Sequence, residues 1–364
     1  MSQVWHRVET SEADAAALRA VADLYHGWLT GLLLMVVTRR GRADAAELVF
    51  RIFRRQQLEK FLPGLDKLGL RGLPDAVACA QYHYLSNHVG GVKVEYVPES
   101  DRKSWVRYPP PRWIFDGTAI CGIPSEVSRA MLRGWHANNG VLLGNPRLGF
   151  VCTKQTVDGQ PGLEGYYLEG DRVLEPDERL RFSPGEDCPD FDPARAPALE
   201  SAAWPEERLR KAYRNYAMDY LRTALPVAIE LFGPAEGGHL TALTARLVGM
   251  HYHDRTMALI GGCELEDAKA ASTDFIASLA LLLEGQGDRV TVERRGDDGS
   301  AGIVRQHGFR LMRGVPHPPP EVFDAWGELW RGLAAAHDRR LRLEVERSGD
   351  GGAVFTVTPG GTRA

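Results

Sequence analysis

The sequence has few cysteines, and their spacing excludes two classes of protein. The 364 residues contain five cysteines, none of them in a Cys-x-x-Cys pair. An odd number of widely spaced cysteines argues against a disulfide framework and against a structural zinc knuckle. We therefore expect reduced thiols, as in a cytoplasmic protein. The cysteines are Cys79, Cys121, Cys152, Cys188 and Cys263.

Segments that would direct the chain to a membrane are also missing. The first residues lack the basic-then-apolar pattern of a signal peptide. The longest apolar run, residues 32–37, is much shorter than the roughly 20 residues of a membrane span. We expect no membrane partner and interpret this run as the buried part of a helix.

The charge balance and the motif content exclude further functions. The chain has 44 Lys and Arg against 48 Asp and Glu, a net charge of −4, so it lacks the basic character typical of nucleic-acid binding. It contains no GxGxxG after a strand, no Walker A loop, no HExxH and no GxSxG. We therefore expect no nucleic-acid partner and no organic cofactor, and most nucleotide-binding, zinc-protease and α/β-hydrolase functions are excluded.

The length and a proline-rich segment predict two domains. A chain of 364 residues corresponds to about two domains of ordinary size. Residues 183–203 contain prolines at 184, 189, 193 and 197 and have no apolar period, which is typical of a linker. We predict domains at residues 1–182 and 205–364, joined by a linker at 183–204.

The two sides of this linker match each other in a consistent order. The offset between matched residues drifts between 191 and 198, as insertions in loops would cause. This order predicts a tandem duplication, in which two halves of the same fold superpose about a pseudo-two-fold axis. The matched pairs include Leu18 with Leu209, Tyr25 with Tyr216, Val94 with Val292, Val106 with Val304, Trp135 with Trp330 and Arg147 with Arg342.

Hydrophobic periodicity gives both halves the same order of elements. Helices are predicted at 15–37, 45–62, 74–88 and 125–137, and again at 205–232, 240–260, 266–284 and 320–336. Strands are predicted at 92–96, 104–107, 148–154 and 165–169, and again at 290–293, 302–305, 341–347 and 353–358. Helices packed on a small antiparallel sheet would make each half an α+β domain.

A polar stripe on the helix at 74–88 is the first candidate site. Cys79, His83 and Asn87 lie at positions i, i+4 and i+8 and share one side of the helix. A thiol beside an imidazole can become a thiolate nucleophile, and an amide can orient the imidazole. The neighbouring Tyr82 and His88 are candidate substrate-binding residues. The alternative for Cys79 is packing, since it shares a small face with neighbouring alanines.

A histidine and an aspartate form a candidate pair in the second half. The apolar period of residues 240–250 is helical, so His251 and Asp254 would continue its apolar stripe inward and His253 would turn away. A buried His–Asp pair could orient an imidazole for proton transfer, or bind a metal together with a third ligand. The alternative is a hydrogen-bonded pair in the core.

The end of the helix at 125–137 carries a third set of polar residues. The Asn-Gly pair at 139–140 predicts a left-handed helix terminus, followed by a loop that leads into a strand. His136, Asn138, Asn139 and Arg147 would cluster in this loop, and the planar guanidinium of arginine suits a carboxylate. We take His83 and His136 as the candidates for proton transfer. The alternative for His136 is a helix C-terminal residue that binds free carbonyls.

Differences between the halves favour the first half as the site of chemistry. Cys79, Cys121 and Cys152 have no counterparts in the matched segments of the second half. When duplicated copies diverge, one can retain the chemistry while the other becomes a scaffold. We therefore expect the site in the first half, with His251 and Asp254 as residues that could complete it.

Residues 80–109 resemble the core of the L-2-amino-thiazoline-4-carboxylic acid hydrolase family. The shared features are a helix end with Tyr82-His83, a strand at 92–96, a charged turn and a strand that contains Trp105. Residues 277–309 resemble the same core in outline. Where the family pattern has Cys-Pro after the second strand, this chain has Tyr108-Pro109. The resemblance implies hydrolytic opening of a small ring that contains a C–N bond, without a nucleotide cofactor.

Two classes of function therefore stay open. The first is a small-molecule hydrolase or related lyase that acts on a C–N bond or small heterocycle, with His83, His136 and Cys79 as catalytic residues and no organic cofactor. The second is a noncatalytic ligand-binding or sensor protein. A convergent set of His, Asn and Arg favours the enzyme, and a purely apolar pocket favours the sensor. We expect a metal-free cytoplasmic monomer or homodimer, with carboxylates among the candidate substrates.

Overall fold

The computed structural model describes residues 11–111, 114, 116–261, 268–296 and 299–360. Cys263 and the predicted start of the helix at 266–284 lie outside these residues. The protein is an α+β protein with two sheets, and all strand pairs are antiparallel apart from one in the first sheet. This confirms the fold class expected from the sequence.

The chain divides into two compact units. We call Leu33–Tyr213 the central unit, and the described residues up to Leu32 and from Arg214 onward the terminal unit. Two long helices, α1 (Ser11–Arg40) and α6 (Glu206–Phe232), run from one unit into the other. The predicted boundaries at 182 and 205 differ from this division because no change of composition marks a point inside a continuous helix.

Helix α1 contains the apolar run noted in the sequence. By length and composition it could cross a membrane, but 67% of its most apolar window is buried inside the protein. The core helix of a soluble protein has the same properties. The expectation of no membrane partner remains a prediction.

The central unit packs helices against a sheet with the strand order β1-β2-β4-β3-β5. Strands β3 and β5 form its parallel pair. Its helices are α2 (Arg42–Lys67), α3 (Asp75–Val89), α4 (Ser125–Gly134) and α5 (Asn139–Leu143). Its strands are β1 (Glu95–Ser100), β2 (Lys103–Tyr108), β3 (Leu148–Lys154), β4 (Leu163–Glu169) and β5 (Leu180–Phe182).

Side chains alternate between the two faces of this sheet, as strand geometry requires. On one face, Trp105 pairs in register with Tyr166, and together with Val97 and Val151 they form an apolar cluster. The other face carries Tyr108, Phe150 and Tyr167 and packs on the helices, chiefly α3. We call this second face the inner face.

The segment predicted as a linker covers the opposite, outer face of the same sheet. Cys188 and Phe191 pack on the apolar cluster. Glu186 accepts a hydrogen bond from the Tyr166 hydroxyl at 3.0 Å, and the Cys188 amide donates to Glu164 at 3.0 Å. The proline content therefore reflects an irregular strap, which two nonpolar side chains and a few polar contacts hold against the sheet.

The terminal unit repeats the combination of helices and sheet. Its remaining helices are α7 (Pro234–His251), α8 (His253–Ile260), α9 (Ala268–Gly285) and α10 (Pro320–His337). Strands β6 (Arg289–Arg295), β7 (Ala301–His307), β8 (Arg342–Arg347) and β9 (Ala353–Thr358) form a sheet of order β6-β7-β9-β8. Helices α7 and α10 pack closely through glycines.

The first four strands of the central sheet have the same order as the four strands of the terminal sheet. A duplication requires this agreement, while superposition of the halves remains a prediction. One matched spacing has a different structural basis in the two sheets. Val292 pairs with Val304 across β6 and β7, but Val106 pairs with Tyr96, and Val94 precedes β1.

Two predicted helices are interrupted in the structure. The helix predicted at 240–260 is divided at Tyr252 into α7 and α8. The helix predicted at 125–137 ends at Gly134, and the chain turns at Trp135 into a 3-10 turn and then α5. The Asn-Gly pair at 139–140 is right-handed inside α5, and the left-handed terminus is Gly144, with φ 73°.

Candidate functional site

The candidate site lies between the inner face of the central sheet and the helices that cover it. Tyr108 and Tyr167 extend from the sheet toward His83 on α3 and His136 in the 3-10 turn. Because the chain turns at Trp135, His136 lies between the sheet and the helices. All four of these side chains are buried.

The centre of the site is a pair of stacked imidazoles. The rings of His83 and His136 lie 4.1 Å apart between centroids, with an angle of 12° between their planes. Two protonated imidazoles at this distance would repel each other strongly in a buried environment. The stacking therefore requires that the pair carries at most one positive charge.

A chain of hydrogen bonds leads to one of these rings. Asn138 Nδ2 donates to Gln57 Oε1 at 2.9 Å, and Gln57 Nε2 donates to Asn139 Oδ1 at 3.1 Å. Asn139 Nδ2 donates to the Tyr167 hydroxyl at 2.9 Å, and this hydroxyl lies 2.7 Å from His136 Nδ1. Because the hydroxyl already accepts a hydrogen bond from the amide, it donates its own proton to His136 Nδ1. A neutral His136 therefore carries its proton on Nε2.

The second ring takes the opposite tautomer. Asn139 Nδ2 also points to His83 Nε2 at 3.5 Å, and an amide nitrogen can only donate. His83 Nε2 is then the acceptor, and its proton lies on Nδ1, 3.1 Å from the Tyr108 hydroxyl. One amide thus fixes the tautomers of both stacked rings.

Burial keeps three groups of the site neutral. Burial lowers the pKa of His83 to about 3 and raises the pKa of Tyr167 well above its usual value. The pKa of Cys79 is also raised, mainly by burial and further by Asp75, while a hydrogen bond with Asn139 opposes the shift. At neutral pH the site therefore presents a neutral His83, a tyrosine hydroxyl and a protonated thiol.

Aromatic rings enclose the pair. Tyr82 and Trp135 meet His83 edge-on at 5.5 and 6.0 Å between centroids, and Phe150 lies 4.4 Å from His136. Such a shell excludes water and strengthens each polar interaction inside it.

The structure brings together only part of the predicted first-half set. His83, His136, Cys79, Asn138 and Tyr82 contribute to the network or its aromatic shell. Their convergence follows from the packing of α3 and the 3-10 turn on the same face of the sheet.

The other predicted residues of the central unit lie elsewhere. The Asn87 amide donates to the backbone carbonyl of His83 at 2.7 Å and so does not orient the ring through this contact. His88 is exposed and stacks on Tyr84. Arg147 is half exposed, and its Nη2 donates to Glu169 at 3.1 Å, in a surface ion pair.

The prediction that His251 and Asp254 turn inward was wrong. Both are exposed, and His253 turns inward, with its Nε2 3.0 Å from His337 Nδ1. The break at Tyr252 changes the direction of the helix, so the period of residues 240–250 cannot be extended across it. The buried stripe of α7 consists mainly of small residues, while Leu247 and Met250 are exposed.

Three residues of the network were not among the candidates from the sequence: Gln57, Tyr108 and Tyr167. Gln57 is fully buried, although it follows a charged stretch of α2 that predicts an exposed face. The two tyrosines lie on the inner face of their strands, and strand alternation could have identified them. Asn139 was placed in the loop cluster and also interpreted as part of a helix terminus, without a prediction of which groups its amide contacts.

Among the described residues, no group of three or more His, Cys, Asp or Glu side chains could hold a metal ion. The expectation of a metal-free protein stays a prediction.

No family model, no curated protein and no solved structure matches this chain. The resemblance of residues 80–109 to a hydrolase family therefore depends on those residues alone.

The position of Asn139 in the hydrogen-bond chain gives a first testable prediction. Asn139→Ala should lower the free energy of unfolding by about 3 kcal/mol, because it leaves Gln57 and Tyr167 with unpaired buried groups. Asn138→Ala removes only the first donor of this series of hydrogen bonds and should lower the free energy of unfolding by about 1 kcal/mol. Urea denaturation followed by circular dichroism measures both. Equal losses for the two variants would contradict the proposed order of the network.

Proposed function

We propose that the central unit is a small-molecule hydrolase that opens a C–N bond by acid–base chemistry. The observation that carries this proposal is the stacked pair of His83 and His136, each with a tyrosine hydroxyl at its Nδ1. Buried histidines in opposite tautomers provide a proton acceptor and a proton donor next to each other.

The reaction needs one proton acceptor and one proton donor. Hydrolysis adds the oxygen of water to the carbon, and the nitrogen leaves with a proton. A neutral imidazole accepts a proton from the attacking water, and an imidazole N–H or tyrosine O–H delivers a proton to the leaving nitrogen. Because burial keeps the pKa of His83 low, this ring is neutral across the physiological range, and it becomes an effective base only when its pKa is raised toward neutrality in the complex with substrate.

A negative charge on the substrate would make the buried imidazole a stronger base. An anionic group next to a buried imidazole raises the pKa of the imidazole and makes it a better base. A carboxylate on the substrate is therefore favoured, consistent with the substrate class that the resemblance implies. Arg147 binds Glu169 at the surface, so we leave it out of substrate recognition.

The proposal also leaves Cys79 out of covalent catalysis. A cysteine nucleophile needs a lowered thiol pKa, and burial raises the pKa of Cys79. Cys79 instead helps to position the Asn139 amide. A cytoplasmic location and a monomeric or homodimeric state belong to the same proposal.

A noncatalytic ligand-binding or sensor protein is the second candidate. The observation that favours it is that the polar groups of the network largely hydrogen-bond one another within an aromatic shell. A sensor would bind a small molecule at this site and release it unchanged.

The test is hydrolysis of a panel of small cyclic substrates, including 2-aminothiazoline-4-carboxylate, cyclic amidines and lactam carboxylates. Mass spectrometry detects the product by the gain of one water. The double variant His83→Ala/His136→Ala should reduce the rate by about 10³-fold. Tyr167→Phe, which keeps the ring, should reduce it while the protein stays folded by circular dichroism.

The matched control is His88→Ala, which changes an exposed histidine on the same helix and should leave the rate unchanged. Full activity in the double variant would overturn the assignment of the imidazoles. Binding of panel members without any product would favour the sensor.

A further inference from the structure

A second cluster of polar groups lies in the terminal unit, at the turn between α9 and β6. Gly287 in this turn has a φ of 92°, and a Cβ at this position would lie 2.6 Å from Arg214 Nη1 and 3.1 Å from Arg310 Nε. The absence of a side chain at Gly287 thus allows two guanidinium groups to meet at the turn.

The charges at this turn are not balanced. Asp288 supplies a carboxylate, whose Oδ1 accepts the backbone N–H of Arg310 at 3.1 Å. Burial lowers the pKa of Arg214, and the neighbouring charge of Arg310 lowers it further. Two guanidinium groups against this carboxylate give the turn an excess of one positive charge.

Three buried polar atoms at the turn have no hydrogen-bond partner among the described residues. They are two donors, Gln286 Nε2 and Arg214 Nε, and one acceptor, Asp288 Oδ2. Gln286 is fully buried. Burial raises the pKa of Asp288, and the nearby Gln286 amide opposes this rise slightly, although the two side chains are not within hydrogen-bond distance of each other. Buried polar groups without partners carry a large free-energy penalty, so a cluster of three indicates a ligand.

A hydrogen bond from Tyr25 fixes the orientation of the Gln286 amide. The Tyr25 hydroxyl donates to Gln286 Oε1 at 2.5 Å and accepts from Trp326 Nε1 at 3.2 Å. Because the oxygen is held by Tyr25, the nitrogen of the amide is the group left to donate to a ligand. All these residues belong to the terminal unit.

We propose that this turn, formed by Gln286, Asp288, Arg214 and Arg310, binds a small oxyanion that carries one O–H group. The guanidinium groups and the Gln286 amide donate to the anionic oxygens, and Asp288 Oδ2 accepts the O–H. Hydrogen phosphate and 2-hydroxycarboxylates share this chemistry. The site is independent of the imidazole pair.

A pair of ions of equal charge and similar shape tests the proposal. Burial raises the pKa of Asp288 to about 6, so the carboxyl is ionised at pH 8. At that pH hydrogen phosphate retains one O–H, whereas sulfate has none. Titration calorimetry on the full chain should show phosphate binding about tenfold or more tightly than sulfate, because a hydrogen bond to a carboxylate is lost with sulfate. Glycolate against acetate tests the organic source in the same way.

Variants separate the two parts of the site. Asp288→Asn should remove the preference for phosphate over sulfate, and Arg214→Gln should weaken both ions by about tenfold or more. Arg289→Gln, which changes an exposed arginine next to the turn, is the control and should bind as the wild type does. Wild-type protein that binds neither phosphate nor glycolate would overturn the proposal, as would an unchanged ion preference in Asp288→Asn.

Discussion

Gly332→Ala should lower the free energy of unfolding of the terminal unit by about 3 kcal/mol. Gly332 lies on α10 where this helix crosses α7, and a Cβ at this position would lie 2.2 Å from the backbone oxygen of Arg246. Gly249 has the reciprocal position on α7, where a Cβ would lie 2.2 Å from the backbone oxygen of Leu329. Because the obstructing atoms belong to the backbone, relief would require the two helices to separate.

The control for this variant lies on the same helix. A Cβ at Gly327 would have its nearest neighbours at 3.5 Å, an ordinary contact distance. Gly327→Ala should therefore raise stability by up to about 1 kcal/mol, through the better helix propensity of alanine. Urea denaturation, with hydrogen exchange to localise the change to α7 and α10, measures both variants. Similar effects at the two glycines would contradict the close helix contact.

Acid should destabilise the central unit from about pH 6.5 downward through His83. The folded-state pKa of His83 is about 3, below the value of 6.5 expected for the unfolded chain. The unfolded state therefore binds more protons between these two values, and stability falls as the pH falls through this window. The loss at pH 5 relative to pH 8 should be about 2 kcal/mol.

His83→Gln should remove this pH dependence while keeping a neutral polar side chain at the position. Hydrogen exchange in α3 reports on the central unit alone. This localisation matters because groups in the terminal unit also have shifted pKa values, among them His337, whose pKa is lowered mainly by burial. Burial lowers the pKa of His26 to about 4, which destabilises in acid, and raises that of Asp288 to about 6, which has the opposite sign. Wild-type and His83→Gln proteins with the same pH dependence between 5 and 8 would show that His83 is not buried as a neutral ring.

The α+β class and most of the elements could be predicted from the sequence because they depend on local periodicity. The helix predicted at 74–88 corresponds to α3, and the strand predicted at 148–154 corresponds to β3. Boundaries shifted where the chain changes direction without a strong local signal. β1 begins at Glu95, after the predicted start at 92, and the chain turns at Trp135 inside a stretch with an unbroken helical pattern.

The candidate site was predicted in part because some of its residues belong to types that rarely occur in a helix core without a reason. His83 was selected for its spacing from Cys79 and His136 for its place in a polar loop cluster, but nothing in the sequence required their rings to stack. Gln57 lies in a charged stretch of α2, and its burial depends on the amide of Asn139, which the fold places next to it. A hydrogen-bond partner far away in the chain leaves no local signal at either residue.

The sequence by itself determined the secondary structure, the fold class and the polar residues worth testing. The tertiary structure alone decided which of them meet. It left His251 exposed on α7, whose buried stripe consists mainly of small residues, and it turned His253 inward after the helix break at Tyr252. It also distinguished Gly332 from Gly327, two glycines in one helix, because only the first faces a backbone at close range. Periodicity assigns residues to faces, whereas contact between faces depends on how distant segments pack.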